Sequence, residues 1–445
     1  MSESTAKKTV RTTLWSAVDR ISTMMVQFVI TMVLARLLTP SDYGVIAILT
    51  IFISISQVFV ECGFSNGLIR KLDCTQEDYS TAFYFNVGVS LVMYLALFVL
   101  APYVASFYEM DVLSDVLRVY GLSVIFQSFK IVQYAILSKR LEFKKIAKVT
   151  ASVTLLSGIV GIVCAYYGMG VWALVTQNLL LTSLNSIAFF IVLGWVPSFT
   201  FSLDSMRYLW NFGSKMLLSG IISVTYTNIY SLVIGKMYNS KVLGVFNRGH
   251  QLAYLYPDLV RSIFTQNSLP IMSEVQNDLE RLKNVYREFV VVVSFISFPV
   301  VLTLIVIAKP FILFFLTDKW SESIIYVQIF CVASLLIPAN WMNLNLLQAL
   351  GRTDLTLKAE IIKKSIGLTV VFSMMYFGPL ILAICCCIFD VFVYFVNLFF
   401  AKKVILASYK SQLYDIAPCL IAASLAACLA YIPTLYVTDY FLQMC

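Results

Sequence analysis

Three basic side chains, Lys130, Arg261 and Arg20, and two carboxylates, Asp390 and Asp258, stand inside long apolar runs of this sequence. An ionisable group at such depth is costly and normally faces a cavity, a partner or an ion path. Lys130 and Arg261 lie near the middle of their runs, too deep to snorkel easily. Each is read either as a contact for a substrate phosphate or as the partner of an internal carboxylate. Arg20 is shallower, and pairing with a neighbouring helix or reaching headgroups is its alternative. Lys215, at the end of its run, is read as snorkelling. Asp390, on one face with Tyr394 and Asn397, and Asp258 are the candidates for ion coupling; a hydrogen bond within its own lobe is the alternative for Asp390. Asp19 and Glu61 lie nearer the ends of their runs.

Polar neighbours extend these positions into stripes at about 100° per residue. One holds Tyr120, Ser123, Gln127, Lys130 and Tyr134; another Ser16, Arg20, Thr23 and Gln27; a third Thr50, Ser54, Gln57 and Glu61. Lys215, Ser219, Ser223, Tyr226 and Tyr230 form a fourth. The most polar holds Asn247, His250, Gln251, Tyr254, Asp258, Arg261 and Thr265, with Pro257 as an expected kink. Asn340 and Asn343 add to them. The stripes cannot all face lipid, so they imply a hydrated cavity between lobes. Its expected substrate contacts are Lys130, Arg261, Arg20, Gln127, Tyr134, Gln27, Tyr254 and Asn247. Tyrosines there could stack on sugar faces or simply pack with a wet hydroxyl.

Other chemistry is excluded. The ten cysteines form no CxxC pair, and Cys385, Cys386 and Cys387 point three ways from one helix. A single histidine, His250, rules out a multi-histidine metal site. No G-x-x-x-x-G-K-[ST] supports direct ATP use. No cofactor and no metal are expected.

The elements that must position these groups are membrane helices. With 60% hydrophobic residues, 13% charged and a mean hydropathy of +0.85, the chain is far too apolar for a soluble domain. A span needs about 20 apolar residues, and the sequence supplies them near 13–35, 43–64, 80–104, 116–138, 147–167, 170–194, 212–235, 245–270, 288–308, 323–350, 361–378, 380–401 and 414–434. The fold class is therefore all-α and polytopic, with thirteen spans and no loop long enough for a soluble catalytic domain. The first span carries Asp19 and Arg20 and lacks a small-residue cleavage site, so it is read as a retained helix. Lys and Arg collect in the N-terminal arm, around Arg70 and Lys71, in the run 139–148, and in the loops near 281–287, 358–364 and 402–410. That side is read as cytoplasmic, with the N-terminus on it. The run 139–148 is read as a solvated loop, and the net charge of +8 as topology and contact with anionic lipid, with no nucleic-acid partner.

The chain also repeats itself. ARLLTPSDYGV (35–45) returns as GKMYNSKVLGV (235–245), each with a cation (Arg36, Lys236) eight residues before a glycine (Gly44, Gly244). APYVASFY echoes as KPFILFFL, AILSKRLEFK as ALGRTDLTLK (Leu141 with Leu355) and YYGMGVWAL as MYFGPLILA. Two six-helix lobes follow, 1–205 and 206–405, related by a pseudo-two-fold axis along the membrane normal, with an extra C-terminal helix in 406–445. Pro40 and Gly44 are expected to supply the turn of an outer hairpin, with Arg36 and Asp42 at the external surface.

LWSAVDR through LARLLTPSDYGVIAI, GFSNGLIRK, GVWALV, IGKMYNSKVLGVFNR and LQALGRTDLTLKAEIIKK together resemble the Wzx-type polysaccharide flippases. The subgroup is that of the colanic-acid exporters, within the multidrug/oligosaccharidyl-lipid/polysaccharide exporter superfamily. Fourteen helices are usual there, and the thirteen found here stop at DYFLQMC. The resemblance implies translocation of an undecaprenyl-pyrophosphate-linked oligosaccharide across the bacterial inner membrane, with no enzymatic step. Without an ATP motif that movement is either downhill or coupled to an ion gradient through a membrane carboxylate, and two lobes about a central cavity imply alternating access. Polysaccharide polymerase and chain-length proteins are the implied partners. A multidrug or cation antiporter of the same fold is the first alternative, and a membrane polysaccharide polymerase or ligase the second.

Overall fold

Apolar runs must satisfy their backbone internally in lipid, so they become helices, and caps or left-handed residues decide where each stops. The computed structural model describes residues 24–71, 73–405 and 409–436, and those residues contain no strand. In chain order the helices are α1 (Met24–Leu37), α2 (Pro40–Glu61), α3 (Phe64–Arg70), α4 (Gln76–Tyr108), α5 (Val112–Tyr120), α6 (Leu122–Lys139), α7 (Phe143–Tyr166) and α8 (Val171–Leu193). Then follow α9 (Leu203–Met237), α10 (Ser240–Glu274), α11 (Leu279–Phe315), α12 (Ser323–Ser334), α13 (Ile337–Ala349), α14 (Thr353–Met374), α15 (Pro379–Ile405) and α16 (Tyr409–Tyr436). Ten stretches among the described residues are long and apolar enough to cross a bilayer. The three other expected spans fall on α1, on α10, diluted by Arg248, Asp258 and Arg261, and on α14, whose first half carries Asp354, Lys358, Glu360, Lys363 and Lys364.

Local chemistry corrects several expectations. Gly44 is not a turn residue. The turn is closed by a capping box in which the Thr39 side chain accepts from the Asp42 N–H while the Asp42 carboxylate accepts from the Thr39 N–H at 2.9 Å, with Pro40 opening α2. Gly44 lies buried inside α2, where an added Cβ would overlap the Ser240 carbonyl, and the Ser41 and Ser240 hydroxyls hydrogen-bond at 2.7 Å. The run 139–148 is not a loop either. Lys139 ends α6 and donates to the Leu68 and Lys71 carbonyls at the end of α3, while Lys144, Lys145 and Lys148 sit in the first turns of α7. At the matching turns Leu141 (φ 57°) stands two residues before α7 and Gly351 (φ 67°) two before α14. The structural counterpart of Leu141 is thus Gly351, one helical turn before the Leu355 that the sequence echo pairs with it. The fourth and tenth spans are each broken, between α5 and α6 and between α12 and α13.

The chain divides into two compact units, one ending at Lys241 and the other starting at Val242. The first therefore includes α9, which the repeat places in the second lobe; α9 packs on α2, α3 and α4. Phe64, Leu68, Ala82, Phe83 and Val132 form one core of this unit, and Ile30, Leu34, Ala173 and Leu174 another.

In the second unit α16 lies along α11, and Val290, Val293, Met342, Leu346, Tyr394, Leu398 and Ala423 form the core. A buried polar network crosses it. Tyr286 donates to Asn343 Oδ1, and Gln412 Nε2 donates to the Tyr286 hydroxyl at 2.8 Å and to Asn343 Oδ1 at 3.3 Å. Arg287 Nε reaches Asp415 at 2.8 Å beside it. Removing one member strands buried partners, so Tyr286→Phe is expected to lower stability by about 1–3 kcal/mol. Adding Gln412→Met should cost less than the sum of the two. Unfolding of the purified protein in mixed detergent reads both.

Candidate functional site

The polar stripe of α10 shares one helix face, with His250, Gln251, Asp258 and Arg261 exposed and Asn247 and Tyr254 half-buried. Tyr254 donates to Asp390 Oδ2 of α15 at 2.6 Å. The His250 ring stacks on Tyr254, with centroids 4.1 Å apart and 13° between planes, and Phe330 of α12 stands edge-on to both. The residue assigned to substrate and the residue assigned to ion coupling are thus one hydrogen-bonded pair. A proton or cation arriving at Asp390 would change what Tyr254 can donate to.

Lower on α10, Arg261 lies over the Trp341 ring at 4.8 Å, with Asp258 at 3.9 Å. Asp258 is thus within ion-pair distance of Arg261, with both side chains open. Asn340 accepts from Asn397 Nδ2 at 2.7 Å. Asn343, expected at a cavity, is instead fully buried in the Tyr286–Gln412 network.

In the first unit Lys130, half-buried on α6, is opposed by the carboxylate of Glu61 at the end of α2, the internal-carboxylate alternative. Gln127 is half-buried on the same helix, and Tyr134 is exposed and edge-on to Phe189 at 6.3 Å. Gln27 is exposed on α1, and Arg20 lies outside the described residues. Lys215, Ser219 and Ser223 of α9 open onto a cavity of about 810 Å³ that Arg70 also lines, so Lys215 shares a cavity with a second cation.

Three cations lie outside the expected site: Arg70, read as topology, Lys236, read as the cation of the repeated motif, and Arg248. Arg70 lines that cavity. Lys236 donates to the Phe107 carbonyl at 2.6 Å and lies over that ring at 4.8 Å. Arg248, 2% exposed, lies over Trp320 at 5.0 Å. The α9 spacing of four, begun one turn earlier, would have added Asn211 to the stripe, whereas Arg70 joins it only through tertiary packing.

Ten membrane-length helical stretches among the described residues, carrying basic and acidic side chains and hydrogen-bonded polar pairs, define a polytopic all-α membrane protein. The chain belongs to the polysaccharide biosynthesis protein family, whose description matches residues 33–325. It is 25% identical over 367 residues to the lipopolysaccharide biosynthesis protein WzxC of Escherichia coli (strain K12), covering 80% of this chain and 73% of the relative. It is 22% identical to the teichuronic acid biosynthesis protein TuaB of Bacillus subtilis (strain 168), covering 77% and 71%. Among solved structures, the lipid II flippase MurJ in an inward closed conformation has a TM-score of 0.75 at 12% identity, covering 96% of this chain and 95% of that one. An inward-facing multidrug resistance MATE transporter has a TM-score of 0.67 at 15% identity, covering 87% and 98%. The resemblance to Wzx-type exporters holds, and the fold is that of the MurJ and MATE transporters.

Proposed function

We propose that this chain flips an undecaprenyl-pyrophosphate-linked oligosaccharide across the bacterial inner membrane by alternating access, with its N-terminus in the cytoplasm and no covalent step of its own. The observation that carries the reading is a polysaccharide-biosynthesis family match in a chain whose fold follows a lipid II flippase over 96% of its length. Basic side chains at membrane depth support it. Arg261, poised over Trp341, is the first phosphate contact, with Lys130, Gln127, Tyr134, Gln27, Asn247 and Arg20 completing the set. The flipped unit passes to a polysaccharide polymerase with its chain-length proteins. A drug or cation antiporter suits the MATE likeness, but a cavity lined by Arg70 and Lys215 would repel cationic cargo. A polymerase or ligase would be expected to use a substantial external loop, and no connection between described helices exceeds that from 194 to 202.

Ion coupling is assigned to the Tyr254–Asp390 pair. In proteoliposomes holding the lipid-linked glycan, read by lectin accessibility, the wild type should flip several-fold faster under a proton or sodium gradient. Asp390→Asn should flip at a basal rate that neither gradient alters. Wild-type flipping that ignores both gradients overturns the coupling; no flipping at all overturns the transport reading.

A further inference from the structure

Helix α9 approaches α2 and α3 closely through glycines. A Cβ on Gly213 would overlap the Cys62 carbonyl, one on Gly220 would stand 2.8 Å from Val58 Cγ1, and one on Gly63 would meet the Met216 side chain at 2.8 Å. The adjoining face of α9 carries Asn211, Lys215, Ser219 and Ser223 at intervals of one helical turn, and these line an open cavity of about 810 Å³ together with Met216 and Gly220 at the edge of that packing. Arg70, at the end of α3, and Tyr208 line it as well.

No carboxylate is among the described lining residues. Of the acids on neighbouring stretches, Asp78 is 2% exposed and ion-paired with Lys71 at 2.7 Å, and Asp204 is exposed one helical turn before Tyr208 on α9. Lys71 also lies over the Tyr208 ring at 5.4 Å, which brings a third cation beside a lining residue. Tyr208 and Trp210, both well exposed, are the aromatic residues expected at headgroup depth.

We infer that this cavity is a docking site for a diphosphate carried on a lipid, at the level of the headgroups and apart from Arg261. The inference rests on the transport reading above. Two cations match the two or more charges of a lipid-borne diphosphate better than the single charge of a phosphodiester headgroup. The Arg70 guanidinium can hold two oxygens at once, Lys215 supplies a point charge, and the Ser219, Ser223 and Asn211 side chains supply donors to the rest. The Tyr208 ring offers a face to the first sugar. The volume falls in the range of about 300–1,000 Å³ usual for ligand cavities.

Binding of undecaprenyl diphosphate and of phosphatidylglycerol to the full chain, purified in detergent, tests the site by native mass spectrometry. The wild type should bind undecaprenyl diphosphate at least about tenfold more tightly than phosphatidylglycerol. Arg70→Gln and Lys215→Gln should each weaken it about tenfold, the loss of one charge-assisted contact. Ser219→Phe, which fills the cavity without removing a charge, should weaken it as much. All three variants should keep the wild-type melting temperature. Wild-type affinity in the two charge variants, or in Ser219→Phe, places the diphosphate elsewhere and leaves the transport reading intact. Equal affinity for phosphatidylglycerol makes this a bulk-lipid site. Failure of the wild type itself to bind undecaprenyl diphosphate overturns both the site and the transport reading.

Discussion

Gly44→Ala is expected to destabilise the detergent-solubilised protein by about 3 kcal/mol, the upper end of what overpacking costs, whereas Gly88→Ala should be neutral or stabilising. A Cβ on Gly44 meets the backbone of Ser240, its carbonyl oxygen first and its carbonyl carbon and Cα next. Backbone cannot rotate away as a flexible side chain can. Either the start of α2 or the chain at Ser240 must move, and the Ser41–Ser240 hydrogen bond goes with it. A Cβ on Gly88, inside α4, meets nothing within 4 Å, and alanine there gains roughly 0.5–1 kcal/mol of helix propensity. Thermal unfolding of the two variants side by side measures the difference. Equal melting temperatures would show that the contact does not hold in the membrane protein.

Arg261→Ala should lower glycan flipping by about 100-fold, with Arg261→Lys in between and Asp258→Ala reducing it only a few-fold. The guanidinium is held in place by the Trp341 ring at 4.8 Å, and its pair with Asp258 at 3.9 Å is long and open, with the two side chains 43% and 55% exposed. An exposed pair of this kind contributes little by itself. Arg261 is therefore oriented yet still able to meet a phosphate. Losing a two-pronged charge-assisted contact costs about 1.5–3 kcal/mol per hydrogen bond, which is 10- to 100-fold or more. Lysine keeps the charge but loses both the ring stacking and the fork. A purely structural Arg261 would show itself differently, because Asp258→Ala and Arg261→Ala would then lower the melting temperature and the rate together.

The helices were legible because lipid sets one length scale and a run of apolar residues has little else to become. Their ends were less so. Gly44 has the composition of a turn, but the signal that starts α2 is the Thr39–Asp42 capping box, and the reason for the glycine lies at Ser240, far away in sequence. The cap chemistry of Lys139 was hidden for the same cause, since its acceptors at Leu68 and Lys71 belong to another helix. At the site, helical periodicity picked out Tyr254, Asp390, Lys130 and Glu61, each on its own stripe. Which of them meet is a tertiary fact, and no spacing within a helix encodes it. Asn343 shows the limit most clearly. Its stripe position is the same whether it faces water or Gln412, and only packing decides.

That buried network also has a consequence for how the chain is made. Ribosomes deliver α11 and α13 to the membrane before α16 exists, and Gln412 follows Asn343 by 69 residues. At about 5–20 residues per second the wait is about 3–14 s. During it Tyr286 and Asn343 can bond each other but lack the Gln412 amide that later joins them. The second unit therefore cannot reach its final packing helix by helix as it emerges. Its assembly closes from the far end, when α16 docks along α11 and the last amide arrives.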